Sequence, residues 1–236
     1  MSKTKTVIRF DVNGSNGLEE WEQMNYDSLV SGKPVQRGHL YHEIPEQGYM
    51  VGVWDCTAFT DQMMPYTVDE YMFLLDGKIT MVMPDGTEIL IKAGDAFVIP
   101  KGFECQWKQT NYVRKIFMIF DGKVADSGNK SLKRITVPNL AQPDNVDLTL
   151  SRTDFLNGAG NMSVKVEGYG DVTQMSRISV ANELITVLQG SLILNDGHMA
   201  DVYNSGHTAY LKQGSNVKWT TTIGTRLIVA SYTGEN

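Results

Sequence analysis

The sequence predicts an all-β protein made of two tandem copies of one domain, and three observations carry that prediction. Glu70, Gly77, Gly94, Gly102, Trp107 and Arg114 recur in order as Glu183, Gly190, Gly206, Gly214, Trp219 and Arg226. The intervals are 7, 17, 8, 5 and 7 residues in the first copy and 7, 16, 8, 5 and 7 in the second, an agreement that chance does not produce. Between the landmarks, short apolar runs alternate with turn residues at the spacing of a sandwich or barrel, and no long stretch repeats with helical period. The 236 residues suffice for two domains of ordinary size, expected at 1–122 and 123–236 with the better-kept motifs in the first.

Residues 4–11 alternate as a strand, and Asn13, Gly14, Asn16 and Gly17 then interrupt the pattern. Residues 18–29 read as a short helical turn or an irregular segment. Residues 35–43 read as extended, which sends His39 and His42 to opposite faces as surface or interface side chains. Strands are expected at 49–59, 71–75, 78–83, 89–91, 96–99 and 115–120. Asp76-Gly77 is a tight hairpin turn, and Pro84-Asp85-Gly86-Thr87 is a second, Pro fixing φ and Gly taking positive φ. The small, polar stretch 121–131 suits a linker. The second copy then opens with a strand at 132–137 and continues with strands at 163–167, 184–188, 209–211 and 227–232, with a turn at Asn195-Asp196-Gly197.

Hydrophobic content of 42% and charged content of 20% are ordinary for a globular protein. A net charge of −6 without any basic stripe argues against a nucleic-acid partner. No run approaches the roughly 18 apolar residues of a membrane span, and the first residues lack the apolar region of a signal peptide. Two cysteines, Cys56 and Cys105, cannot build a disulfide framework. A cytoplasmic protein is the expectation.

The run Val53-Trp54-Asp55-Cys56-Thr57, Glu70 ahead of Gly77, the stretch GDAFVIPKG at 94–102, Trp107 and Arg114-Lys115 together resemble the cupin superfamily. Within it they resemble the subfamily that includes ureidoglycine aminohydrolase and the ethanolamine-utilisation cupin. The resemblance implies a double-stranded β-helix, or jelly roll, in each half. The second copy has Gly206-His207 for Gly-Asp and Lys212-Gln213-Gly214 for Pro-x-Gly, so the chain resembles a bicupin with one eroded half.

Catalytic cupins commonly hold a divalent metal on an H-x-H pair, a following Glu and a later His. Here Glu70 matches the Glu, Met63-Met64-Pro65-Tyr66 contains no imidazole, and Cys105 stands at the later His. One carboxylate and one thiol are too few for a tight site, so no metal is expected, Glu70 and Cys105 being the only ligands on offer. In the second copy Glu183 persists but Val217 replaces the thiol.

Glu70 is open to two readings. It is either an acid/base in the apolar barrel or a buried carboxylate partnered by Lys115 or Arg114. Cys105 fits a small buried hydrophobe, and Tyr66 and Trp107 fit core or pocket wall. One expected function, which the subfamily resemblance implies, is chemistry around Glu70 on a small polar, nitrogen-containing metabolite, with Met64, Tyr66, Met72, Cys105, Trp107 and Lys115 shaping the pocket. The alternative is a metal-free binding or accessory protein that assembles through its second copy. In either case a homodimer is expected, with exchange of N-terminal strands between halves or subunits to cover sheet edges.

Overall fold

The computed structural model describes residues 6–122, 136, 138, 139 and 149–234. The described chain is built from strands with two short 3-10 turns, Tyr26–Ser28 and Pro45–Gln47. It divides into two compact units, 11–137 and 138–236, and residues through Phe10 count with the second. The expected division at 122/123 falls where the continuous run of described residues ends. Most of the linker expected at 121–131 and most of the strand expected at 132–137 lie outside the described residues.

The chain opens on β1 (Val7–Arg9), which belongs to the second unit. The first unit, the N-terminal domain, comprises β2 (Glu19–Glu20), β3 (Leu29–Gly32), β4 (Gln36–Ile44), β5 (Tyr49–Cys56), β6 (Phe59–Asp61) and β7 (Met64–Pro65). It continues with β8 (Asp69–Asp76), β9 (Lys78–Val82), β10 (Glu88–Lys92), β11 (Ala96–Ile99), β12 (Glu104–Gln109) and β13 (Val113–Phe120). One sheet runs β11-β8-β13-β5-β4-β2; the other runs β10-β9-β12-β6-β3, with β7 on β12. All pairings are antiparallel, and alternate residues of both sheets face one core. Met72 and Leu74 from β8, Phe117 from β13, Ile79 and Met81 from β9, and Trp107 from β12 meet there.

The C-terminal domain repeats the plan. Its strands are β14 (Thr149–Leu156), β15 (Met162–Tyr169), β16 (Val172–Ile178), β17 (Asn182–Gln189), β18 (Ser191–Asn195), β19 (Ala200–Asn204), β20 (Thr208–Leu211), β21 (Asn216–Thr221) and β22 (Thr225–Tyr232). One sheet runs β1-β20-β17-β22-β15-β14 and the other β16-β21-β18-β19. Glu70 lies opposite Ile99 and Ile119 in the first domain, and Glu183 opposite Leu211 and Ser231 in the second, so the repeat is one of register as well as of sequence.

The edges of the two β11-type sheets are managed alike. β1 pairs along β20, Ile8 opposite Tyr210, while in the first domain Thr136 bridges to Val98 on β11. Each edge thus has backbone partners in place of open N–H and C=O groups. A histidine expectation is overturned. A bulge between Leu40 and His42 resets the alternation of β4, so His39 and His42 lie opposite Val53 and Val51 and share a face.

Gly77 shows why the repeat is spelled with glycine. Its φ is +81°, and a Cβ there meets the Tyr112 carbonyl oxygen at 2.2 Å. Its counterpart Gly190 has φ +76° and meets Thr225 Oγ1 at 2.6 Å. Gly77→Ala is expected to destabilise the N-terminal domain by about 1–3 kcal/mol, read as a lower urea midpoint at unchanged slope.

Candidate small-molecule site in the N-terminal domain

β8 carries Glu70, Met72 and Leu74 on its inner face, and β13 brings Lys115 beside them from the neighbouring strand. Glu70 and Lys115 are both buried. Lys115 Nζ donates to Glu70 Oε1 at 2.8 Å and to Met72 Sδ at 3.2 Å. The same ammonium lies 4.6 Å from the centroid of Trp54 and 4.8 Å from that of Trp107, between two aromatic faces. The Tyr66 hydroxyl donates to Glu70 Oε2. Both carboxylate oxygens are therefore held.

Of the two partners the sequence offers Glu70, the structure uses Lys115. Arg114, one residue earlier, faces the other side and joins a cluster around buried Asp55. Arg37 binds that carboxylate through two N–H groups at 3.0 and 2.9 Å, and Tyr112 donates to it at 2.7 Å. Strand alternation separates the two basic residues completely.

A cavity of about 350 Å³ opens beside the Glu70 carboxylate. Met64, Tyr66, Glu70, Cys105 and Trp107 line it, so these five expected residues come together on one wall. Lys115 holds Glu70 and also donates to Met72, and neither Lys115 nor Met72 lines the cavity. Three polar lining residues were not expected from sequence: Asp61, Gln62 and Thr67. A signal for Asp61 exists. Phe59 packs in the core, and Asp61 lies two residues on in β6, on the same face.

The thiols are poor nucleophiles. Burial pushes Cys56 up to about 12, and burial with the nearby Asp61 charge pushes Cys105 up to about 11, so both are protonated at neutral pH. Burial, then the Glu70 charge, holds the Tyr66 hydroxyl well above the usual phenol range. Burial alone raises Asp61 to about 6. Because the folded carboxyl keeps its proton more tightly than the unfolded one, Asp61 contributes stability at low pH that is lost as pH rises through about 6.

The residues present do not fit the metal that the cupin resemblance implies. The upstream histidine pair falls in Met63-Met64-Pro65-Tyr66, which has no imidazole, Cys105 stands at the later histidine, and the ammonium of Lys115 already neutralises Glu70. Among the described residues no three His, Cys, Asp or Glu side chains gather closely enough to hold one.

The C-terminal domain solves the same electrostatic problem differently. Leu227 occupies the place of Lys115, and Arg177, from β16, supplies the cation instead. Arg177 Nη2 donates to Glu183 Oε1 at 2.6 Å, Ser179 Oγ to Glu183 Oε2 at 3.1 Å, and the guanidinium carbon lies 4.7 Å from the Trp219 centroid. Burial raises Glu183, and Arg177 offsets part of that rise. Each copy thus sets a protein cation over its tryptophan and against its glutamate, from a different strand.

Residues 45–117 match the EutQ-like cupin domain family. No curated protein sequence matches the chain significantly. Among solved structures, a protein of unknown function from Pseudomonas syringae pv. tomato is similar over 97% of this chain and 100% of its own, with a TM-score of 0.72 and 20% identity. A cupin 2 conserved barrel domain protein from Leptotrichia buccalis covers 91% of this chain and 97% of its own at a TM-score of 0.63 and 11% identity. The protein Ylba from E. coli covers 92% and 88% at a TM-score of 0.58 and 11% identity. At these identities the likeness is one of fold, and it spans both domains. Residues 45–117 thus form a EutQ-like cupin domain, and the chain as a whole shares the fold of two-domain cupin structures.

Proposed function

We propose that the N-terminal domain binds a small polar, nitrogen-containing molecule in its cavity without the help of a metal. The supporting observation is the cavity of about 350 Å³ whose wall joins an aromatic face, Trp107, to the Tyr66–Glu70 hydrogen bond, with Lys115 supplying the positive charge behind it. Clefts and cavities of this order with few polar groups are the usual form of small-molecule sites. A metabolite that binds is expected to raise stability by about 2.7 kcal/mol at a hundredfold excess over Kd. Protein stripped with a chelator is expected to respond in full, and a response that appears only after a divalent metal is restored overturns the reading.

The Tyr66 hydroxyl favours a second reading, in which the site also performs proton-transfer chemistry. It sits on the cavity wall and is bonded to Glu70, so a proton has a path between the cavity and a held carboxylate. Glu70→Gln is then expected to bind the molecule and lose turnover. Retention of full activity in that variant removes the acid/base role and leaves a binding protein.

We further assign the protein to the cytoplasm, which suits two unpaired buried cysteines, and to a homodimer. Supporting the dimer, β16 edges its sheet with Met175 and Ile178 exposed, and Val180, two residues on, is exposed as well. A monomer by light scattering at micromolar concentration overturns that assignment.

A further inference from the structure

Two carboxylates line the cavity, and they differ in one respect. Glu70 is neutralised by Lys115 and bonded to Tyr66. The Asp61 carboxylate receives no hydrogen bond or ion pair from any described residue, and burial is the single influence on its proton affinity. When ionised, it is therefore the one uncompensated charge on the cavity wall among the described residues. A partly buried carboxylate without a partner weakens the fold at neutral pH, and a ligand that brings the missing positive charge removes that cost. The apolar remainder of the wall, Met64, Trp107 and Ile119, suits a short carbon chain.

We propose that Asp61 makes this cavity selective for a small protonated amine, the ammonium donating to Asp61 while the rest of the molecule lies against Met64 and Trp107. The proposal rests on the reading of the cavity as a small-molecule site and names the class of ligand it takes.

The groups around Asp61 keep this charge pattern across the neutral range. Tyr66, Cys56 and Cys105 are held protonated by burial. Glu70 and Lys115 form their own pair. On β12, Lys108 reaches Glu88 at 3.8 Å, and β3 (Leu29–Gly32) presents no titratable side chain. The Asp61 carboxyl, raised by burial to about 6, changes charge in that range.

The test compares three molecules of similar size: 4-aminobutanamide (a cation), succinamide (neutral) and succinamate (an anion). Binding is monitored by ligand-observed NMR and thermal shift on the full chain. At about pH 7.5 the cation is expected to bind at least about tenfold more tightly than the diamide, the increment of one charge-assisted hydrogen bond, with the anion weakest. At about pH 5 that preference should shrink about tenfold as Asp61 takes up its proton. Asp61→Asn, which loses no ion pair and is expected to fold, should abolish the preference and leave the diamide's affinity unchanged. Equal affinity of cation and diamide for the natural protein, or an undiminished preference in Asp61→Asn, overturns the role of Asp61 while the cavity reading stands. Met64→Trp, which fills the cavity, should abolish binding of all three. If none of the three binds the natural protein, or all bind Met64→Trp equally well, the cavity reading fails and this proposal fails with it.

Discussion

Lys115→Met is expected to destabilise the N-terminal domain by about 3–5 kcal/mol, the usual consequence of removing one member of a buried ion pair. The side chains of Lys115 and Glu70 are 8% and 4% exposed, so solvent screens their attraction little. Methionine fills much of the lysine stem's volume, and the loss therefore reports the abandoned Glu70 charge more than a cavity. The measurement is hydrogen exchange of the β8 and β13 amides together with the urea midpoint. The double variant Lys115→Met with Glu70→Leu should recover most of the loss or exceed the natural stability by about 1–4 kcal/mol, because two well-packed apolar residues escape the desolvation of both charges. If the single variant costs nothing, Lys115 does not hold Glu70 in solution, and the case for a metal-free barrel loses its physical basis.

Much of the fold was legible in the sequence because its signals are local. Glycines at fixed intervals mark positive-φ turns such as Gly77 and Gly190, and alternation along β8 and β12 places Glu70, Met72, Cys105 and Trp107 on one interior. The position of β1 was not legible. A three-residue strand announces that it is extended, and which edge it covers depends on where the chain runs before Val7 meets Leu211. The bulge in β4 was hidden for a related reason, since one extra residue shifts His42 without altering the composition of the strand.

The site was legible in part. Sequence offered Lys115 and Arg114 as equal partners for Glu70; alternation on β13 decides between them once strand limits are known. Asp61 was passed over because β6 is three residues long and is separated from β5 by Thr57 and Ala58. The second copy was expected to be an eroded barrel, and Arg177 qualifies that picture. A cation arrives from β16, 62 residues after Lys115 in the chain (177 − 115) and at a position that is methionine in the first copy. No spacing rule predicts a charge that moves between strands while its glutamate and tryptophan stay in place.

Trp107→Ala is expected to cost about 3–5 kcal/mol, the range for removing a large aromatic from a core. The indole stacks parallel to Phe59 at 6.4 Å, meets Trp54 edge-on at 6.3 Å and contacts Phe97 at 6.1 Å. It also forms one of the two aromatic faces around Lys115, so its loss admits water to the Lys115–Glu70 pair as well as enlarging the cavity. The conservative change Trp107→Phe isolates a second contribution. Trp107 Nε1 donates to Gln109 Oε1 at 2.8 Å, and Gln109 in turn donates to the carbonyls of Cys56 and Thr57 at 3.1 and 2.8 Å. Phenylalanine leaves that buried amide oxygen without its donor, at about 1–3 kcal/mol. The second copy supplies the control. Trp219 is fully buried, but its Nε1 has no hydrogen-bond partner among the described residues, and Thr221 stands where Gln109 does. Trp219→Phe therefore removes ring volume and an unsatisfied donor together, and is expected to cost less than Trp107→Phe when the two are compared by domain-resolved hydrogen exchange. Equal losses would mean that Gln109 contributes nothing to the position of Trp107, and the wall of the cavity would then rest on aromatic packing alone.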